Sequence, residues 1–359
     1  MILKQNNKQE GIILIITSFN QLNNFLSFFL KKNLIGKKKI FLIIFSDTIP
    51  DLLISYLREY IEKFAIVEVV DMRRKSIKFE QKFFSIKFFK VFFYYFFVLK
   101  KILQIKKLFT ISHISTYSKM QHPILILITF LSSSKIFFLE DGLANYIPHD
   151  RNKKISESIY LKKFMILNKS RIRILQLAKS RMDYSGLFKQ SFLKEENYLD
   201  NRGLYKLFIE NSLNKKLPLK PKCILIGTRH DPDNFNYYKN LYLKTLSEIR
   251  KKYSYSPEQI LFFLHPREEL VYIEELRKCL SNYSNITTVS SIIVEDYLAQ
   301  NNIEIVVGAF SSALIYAKSI FNKNHVYYID HFKKPNESNE NNDKYVRVFH
   351  LLDIKNFFN

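Results

Sequence analysis

The chain is organised around the stretch Phe138-Leu139-Glu140-Asp141-Gly142-Leu143-Ala144-Asn145-Tyr146. A mostly apolar run over residues 124–138, broken by three serines, leads into two adjacent carboxylates and a glycine. This pattern predicts a buried strand that ends in a tight turn, where a glycine can adopt positive φ. Because open α/β sheets bind ligands at the carboxyl ends of their strands, Asp141 is a candidate for chemistry. By itself, Glu-Asp-Gly is more often a solvated acidic turn.

The first half of the chain alternates between strand signals and helix signals. Apolar runs of strand length occur at residues 11–18, 39–47 and 65–70, and helical patterns follow the first two. Strands that are apolar throughout are typical of a parallel sheet covered on both faces. We therefore expect a Rossmann-like domain here.

Residues 82–107 alternate between aromatic residues and lysines. The uninterrupted apolar part, residues 91–99, is far shorter than the roughly 20 residues of a membrane-spanning helix. We expect a basic amphipathic helix that either packs on the sheet or lies in a membrane interface. A strand should follow at residues 108–112, and another helix should begin near residue 117.

The domain boundary is expected at the connector Leu217-Pro218-Leu219-Lys220-Pro221-Lys222, because its prolines suit neither a helix nor a central strand. Residues 151–222 predict long basic helices, including residues 169–174, as an insertion that leads up to and into this connector. The N-terminal domain then spans residues 1–217, and the C-terminal domain spans residues 218–359. The second domain restarts the alternation and should end in a polar loop at 336–343 and a helix at 349–358. Two Rossmann-like domains facing a central cleft make an α/β fold of the GT-B type.

The net charge of +23 favours an anionic partner, such as nucleic acid, anionic lipid, or a nucleotide-linked or lipid-linked substrate. Cys223 and Cys279 can form neither a disulfide framework nor a recognisable metal site, which fits a reducing compartment. The polar N-terminus and the short apolar run at residues 12–16 do not resemble a signal peptide. We expect a cytoplasmic protein, either free or peripheral on the inner membrane.

Three polar signatures follow apolar runs in the second half: Gly227-Thr228-Arg229-His230-Asp231, His265-Pro266-Arg267-Glu268 and Ser311-Ser312. Each should lie at the carboxyl end of a strand. A histidine before a helix can bind or protonate a phosphate, and serine hydroxyls with helix amides can bind one. Taken singly, His265 could merely cap a helix, and Ser311 could be an ordinary N-cap.

Taken together, the motifs resemble those of bacterial sialyltransferases, which carry an acidic-acidic-glycine, a His-Pro and a serine motif. The chain is most similar to glycosyltransferase family 52, the lipooligosaccharide sialyltransferases. The residues that carry this resemblance are His265-Pro266-Arg267, Val294-Glu295-Asp296-Tyr297-Leu298 and Phe310-Ser311-Ser312-Ala313-Leu314, where Ser312 replaces a glycine of the family. Polysialyltransferases share most of these motifs and are a near neighbour.

The resemblance implies an inverting, metal-independent transfer of sialic acid from CMP-sialic acid to a sugar hydroxyl, with no cofactor besides this donor. It makes the N-terminal domain the acceptor side and the C-terminal domain the nucleotide-sugar-binding side. It assigns stabilisation of the leaving group to His265, and the base to Asp141. Asp231 is the alternative base, although it lies one position out of register with the Gly-Ser-Pro-Asp turn of the family. The implied substrate-binding residues are Glu140, Gly142, Gly227, Thr228, Pro266, Arg267, Glu295, Asp296, Ser311 and Ser312.

The implied partners are a nucleotide-sugar donor and a lipid-linked surface glycan, either lipooligosaccharide or capsule, with an anionic membrane surface and a homodimer both compatible. Every one of these motifs is also compatible with a glycosyltransferase that uses another nucleotide sugar as its donor. A basic nucleic-acid-binding protein would account for the charge, but the sequence contains no recognised nucleic-acid module.

Overall fold

The computed structural model describes residues 8–45, 49, 51–73, 87–117, 131, 134–140, 166–177, 194–212, 220–228, 232–265, 268–287, 294–330 and 340–358. These residues form two compact units. The first contains the described residues up to 140 together with 166–176 and 194–201, and the second contains residue 177 and those from 202 onward. Each unit is built on its own parallel sheet.

The sheet of the first unit has seven strands in the order β3-β2-β1-β4-β5-β6-β7, all paired in parallel. The strands are β1 (Gln9–Leu14), β2 (Lys39–Ile44), β3 (Val67–Asp71), β4 (Phe109–Tyr117), β5 (Lys135–Leu139), β6 (Ile172–Gln176) and β7 (Tyr198–Asp200). The helices of this unit are α1 (Phe19–Lys31), α2 (Asp51–Glu62) and α3 (Lys87–Leu108).

Helix α1 shows how the local sequence determines an element of this unit. Ser18 is its N-cap, and the Ser18 hydroxyl accepts a hydrogen bond from the Gln21 amide at 3.4 Å. Its buried apolar side chains recur at helical spacing and face the sheet: Leu22, Phe25, Leu26 and Phe29.

The sheet of the second unit has six strands in the order β10-β9-β8-β11-β12-β13. The strands are β8 (Cys223–Ile226), β9 (Ile260–Phe263), β10 (Asn285–Ile286), β11 (Ile305–Gly308), β12 (His325–Tyr328) and β13 (Lys355–Asn356). The helices are α4 (Arg202–Ser212), α5 (Phe235–Tyr253), α6 (Leu270–Leu280), α7 (Val294–Gln300), α8 (Ser312–Ser319) and α9 (Glu340–Leu351).

Both faces of this second sheet are buried, as a parallel sheet with fully apolar strands requires. Alternate residues of β8 enter opposite apolar layers: Ile224 and Ile226 pack in one layer, and Cys223 and Leu225 in the other. The strand therefore reads as a continuous apolar run in the sequence.

The structure confirms the two strand-helix alternations, the parallel sheets and a helix within residues 82–107. The helix predicted over residues 169–174 is wrong, because Ile172–Gln176 form β6, which pairs with β5 and β7. The helix predicted near residue 117 does not begin at Tyr117, which is the last residue of β4. The residues that follow, 118–130, lie outside the described set.

The C-terminus also differs from the prediction. Residues 340–351 form α9, so the predicted loop is wrong from residue 340. The terminal helix predicted at 349–358 ends at Leu351, because Asp353 adopts a φ of 56° and the chain then enters β13. The predicted boundary at Leu217-Pro218 falls outside the described residues, and α4 packs into the second unit through Tyr205 and Ile209.

None of the described helices is both long enough and apolar enough to span a lipid bilayer.

Candidate functional site

The strand order of the second sheet reverses between β8 and β11. The chain proceeds from β8 to β9 and β10 on one side, and from β11 to β12 and β13 on the other. Ligands of doubly wound α/β sheets bind in the crevice outside such a reversal, at the carboxyl ends of the strands. Gly308 pairs with Ile226, and Ile226 with Phe263, so β11, β8 and β9 end level with one another. The three signatures of the second half follow these three adjacent strand ends.

The Gly227-Thr228 turn follows β8. The Gly227 amide donates to the Phe263 carbonyl at 2.9 Å, and the Thr228 amide donates to the Tyr242 hydroxyl at 2.9 Å. A Cβ on Gly227 would lie 3.1 Å from the Phe262 ring, so the glycine permits a close approach to β9. Burial raises the pKa of Tyr242, and the phenol remains neutral. Arg229, His230 and Asp231 lie outside the described residues.

His265 lies two residues beyond β9 and is half-buried. Its carbonyl accepts a hydrogen bond from the Glu268 amide at 3.0 Å, which closes a turn before α6. The preceding Leu264 amide donates to the buried Thr287 hydroxyl at 3.2 Å. Helix α6 begins only at Leu270, so a turn separates His265 from the helix that the sequence predicts after it. Pro266 and Arg267 lie outside the described residues.

Ser311 and Ser312 connect β11 to α8. Ser311 is the N-cap, and its hydroxyl oxygen accepts a hydrogen bond from the Ala313 amide at 3.2 Å. The hydroxyl proton of Ser311 can still be donated to a ligand, so capping and anion binding are compatible. A Cβ on Gly308 would lie 3.0 Å from the Ile226 Cβ, so this glycine sets the spacing of the two strands at the reversal.

Helix α7 carries the Glu-Asp-Tyr box. Glu295 is buried, and the side chain of Asp296 lies outside the described set. The fully buried Tyr297 packs edge-on against Phe263, with ring centroids 5.2 Å apart, so α7 lies beside the end of β9. The Tyr297 hydroxyl has no hydrogen-bond partner in the part of the chain that the structure describes.

The acidic motif belongs to the other unit. Glu140 is buried directly after β5, and its amide contacts the Leu175 carbonyl of β6 at 3.3 Å. Glu140 therefore lies at the carboxyl edge of its sheet, as the sequence predicts. Asp141 and Gly142 lie outside the described residues.

Sequence reasoning missed the residues that support these turns, Tyr242 and Thr287. Tyr242 has the spacing of an ordinary buried helix residue, and Thr287 follows a short strand, so no motif marks either of them. Among the described residues, no group of three or more His, Cys, Asp or Glu side chains could hold a metal ion.

A family model described as alpha-2,8-polysialyltransferase matches residues 12–330. The motif-based resemblance to bacterial sialyltransferases is thus confirmed, and the match falls on the family that the motifs placed as a near neighbour. No curated protein sequence matches the chain significantly.

Two solved structures resemble the chain with a TM-score of 0.50. One is an alpha/beta-galactoside alpha-2,3-sialyltransferase from Photobacterium phosphoreum, at 12% identity, covering 97% of this chain and 96% of that protein. The other is a UDP-GlcNAc 2-epimerase from Neisseria meningitidis, at 9% identity, covering 89% of this chain and 82% of that protein. These likenesses concern the fold, which is of the GT-B type with two Rossmann-like units.

Proposed function

The chain belongs to the alpha-2,8-polysialyltransferase family, and on this premise we propose that it transfers sialic acid from CMP-sialic acid to a sugar hydroxyl, with inversion and without a metal ion. Family membership makes the chain a glycosyltransferase. The donor, the stereochemistry and the acceptor are parts of the proposal.

One observation carries the proposal: the motif residues of the second unit converge on one sheet edge. Gly227, His265 and Ser311 follow three adjacent strands that end level, at the reversal of the strand order. Amides at the start of α8, serine hydroxyls and an imidazole are groups that bind a phosphate. These groups suffice for one phosphate. CMP, the leaving group of the proposed reaction, carries a single phosphate.

In the proposed reaction, a carboxylate removes the proton of the acceptor hydroxyl while the acceptor oxygen attacks the anomeric carbon of sialic acid. The bond from that carbon to the phosphate oxygen breaks, and CMP leaves with the bonding electrons. His265 and the groups at the start of α8 meet the charge that develops on the phosphate. Asp141 is the proposed base, and Asp231 is the alternative.

The proposed acceptor is a surface glycan, of lipooligosaccharide or capsule. The family description names a polymer of sialic acid, which favours an acceptor that itself ends in sialic acid. A uridine nucleotide sugar is the competing donor, because the fold is shared with a protein whose structure contains UDP-GlcNAc.

A donor screen tests the proposal. The purified chain is incubated with CMP-sialic acid, UDP-GlcNAc or UDP-galactose, together with short sialylated and galactose-terminated acceptors. We expect CMP release and an acceptor heavier by one or more sialic acid units. Turnover of a UDP-sugar without turnover of CMP-sialic acid would instead establish the competing donor.

A further inference from the structure

Among the described residues of helix α3, apolar side chains occur on two opposite faces, and only one of these faces is buried. The buried side chains recur every three or four residues: Tyr94, Val98, Ile102 and Ile105. This spacing defines a single helical face, which packs toward the sheet. The first residues of α3, 87–92, have no described side chains.

The opposite face of α3 carries exposed apolar side chains. The exposed fractions are 41% for Phe93, 59% for Phe96 and 46% for Leu103. With 3.6 residues per turn, these three positions centre on the side of the helix away from the buried residues. Lys100 and Lys107 fall on the same side and are exposed. We call these five residues the outer face of α3.

The charge of α3 has a single sign. The 22-residue helix contains six lysines and no acidic residue. Lys106 and Lys107 occupy its last turn, and Lys8 adds a further cation there by donating to the Lys106 carbonyl at 3.1 Å. The outer face therefore combines exposed apolar side chains with lysines on a helix that has no acidic residue of its own, over about 21 Å from Phe93 to Lys107.

We propose that the outer face of α3 docks on the surface of a lipid bilayer that contains anionic lipids. Phe93, Phe96 and Leu103 enter the boundary between headgroups and acyl chains, and Lys100 and Lys107 contact lipid phosphates. The long lysine side chains can reach the headgroups while their methylene groups stay beside the apolar residues.

The charge pattern selects this occupant over two others. A second copy of the chain would place two faces of the same sign against each other, which repulsion disfavours. Single-stranded nucleic acid would stack its bases on Phe93 and Phe96, but the aliphatic Leu103 offers no ring for stacking. An anionic bilayer matches both the lysines and the aliphatic side chain.

Co-sedimentation of the full chain with vesicles tests the proposal. One set of vesicles contains phosphatidylcholine alone, and in the other part of it is replaced by phosphatidylglycerol. We expect binding to the second set only. The pair Lys100→Gln and Lys107→Gln should weaken binding about 30-fold, since each lysine near an anionic surface contributes about 1 kcal/mol. The triple change Phe93→Ser, Phe96→Ser and Leu103→Ser should abolish it.

Matched controls lie on other elements. Lys251→Gln with Lys278→Gln removes two exposed charges, and Leu207→Ser with Leu270→Ser and Val271→Ser removes three exposed apolar side chains. Both controls should bind anionic vesicles like the wild type. Circular dichroism and thermal unfolding report whether each variant is folded. The lysine pair, which removes no packed side chain, decides the matter if the triple variant unfolds.

Several results would overturn the proposal: wild-type binding that is absent, or equal on both vesicle types, or binding that the lysine pair leaves unchanged. Direct binding of single-stranded DNA that is lost in the same variants, while vesicles do not bind, would assign the face to nucleic acid. If light scattering shows a dimer that dissociates only in the variants of the outer face, this face binds a second copy of the chain. Because these measurements need no donor, they stand apart from the test of the proposed reaction.

Discussion

At the scale of single residues, the proposed reaction gives different roles to two side chains. His265 stabilises the leaving group, and Asp141 acts as the base. General acid or base groups contribute about 10²–10⁴-fold to turnover, so His265→Ala and Asp141→Ala should each lower kcat by that order. Calorimetry with CMP should distinguish them. His265→Ala should bind CMP more weakly, whereas Asp141→Ala should bind it normally, because a base facing the acceptor makes no favourable contact with the phosphate.

The matched variant for the base is Asp231→Ala. If Asp141→Ala keeps nearly full activity and Asp231→Ala loses it, the base belongs to the second unit. If neither variant loses activity, neither carboxylate is the base and the acidic motif has no catalytic role.

His113 gives the stability of the first unit a pH dependence. Burial, together with the charges of Lys38 and Lys135, lowers the pKa of His113 to about 4, from an ordinary value near 6.5. Between these values the unfolded chain binds one more proton than the folded chain, so stability falls as the pH falls. The neutral ring contacts the Ser112 hydroxyl at 2.8 Å and packs edge-on against Phe29.

We therefore expect the free energy of unfolding to lose about 1.4 kcal/mol per pH unit from this group between roughly pH 6.5 and pH 4. Urea unfolding gives the free energy of unfolding of the wild type and of His113→Phe across this range. The difference between the two proteins isolates the contribution of His113. Above pH 7 the difference should be constant. A difference that does not change on acidification would mean that His113 is not desolvated as described.

At the scale of elements, the start of α8 combines a structural cap with a proposed anion site, and substitution can separate the two roles. Ser311→Ala removes the cap and should cost about 1 kcal/mol of stability as well as CMP affinity. Ser311→Asp keeps a capping oxygen, so stability should be retained, but the carboxylate should repel the phosphate and abolish CMP binding. Ser311→Asn is the uncharged capping control.

Thermal unfolding and calorimetry with CMP measure both roles. If Ser311→Asp binds CMP as tightly as the wild type, Ser311 is an N-cap only.

Fully apolar strands such as β8 were predictable, because a strand that is buried on both faces is a continuous apolar run in the sequence. Strand β6 was not, because Lys169, Arg171 and Arg173 surround its alternating Ile172 and Ile174 and resemble a basic helix. It was predictable that each of the three motifs of the second sheet follows the end of a strand. Their meeting on adjacent strands was not, because it depends on the order β9-β8-β11, which spacing alone does not encode.

At the level of the whole molecule, we expect catalysis without a metal ion. The serine hydroxyls at the start of α8 and the imidazole of His265 can meet the charge of the leaving phosphate. Turnover of CMP-sialic acid should therefore persist after dialysis against EDTA, with kcat unchanged within about twofold. Loss of activity in EDTA that magnesium or manganese restores would contradict this part of the proposal.

The proposed reaction requires that the carboxyl edge of the second sheet hold the phosphate of CMP. Titration calorimetry of CMP into the wild type and into the double variant His265→Ala with Ser312→Ala tests it most directly, with Lys251→Gln and Lys278→Gln as a control remote from this edge. We predict binding of CMP but not of NAD, unchanged affinity in the control, and affinity lower by at least about tenfold in the double variant, since charge-assisted hydrogen bonds contribute about 1.5–3 kcal/mol each. A folded double variant that binds CMP as tightly as the wild type would contradict the account.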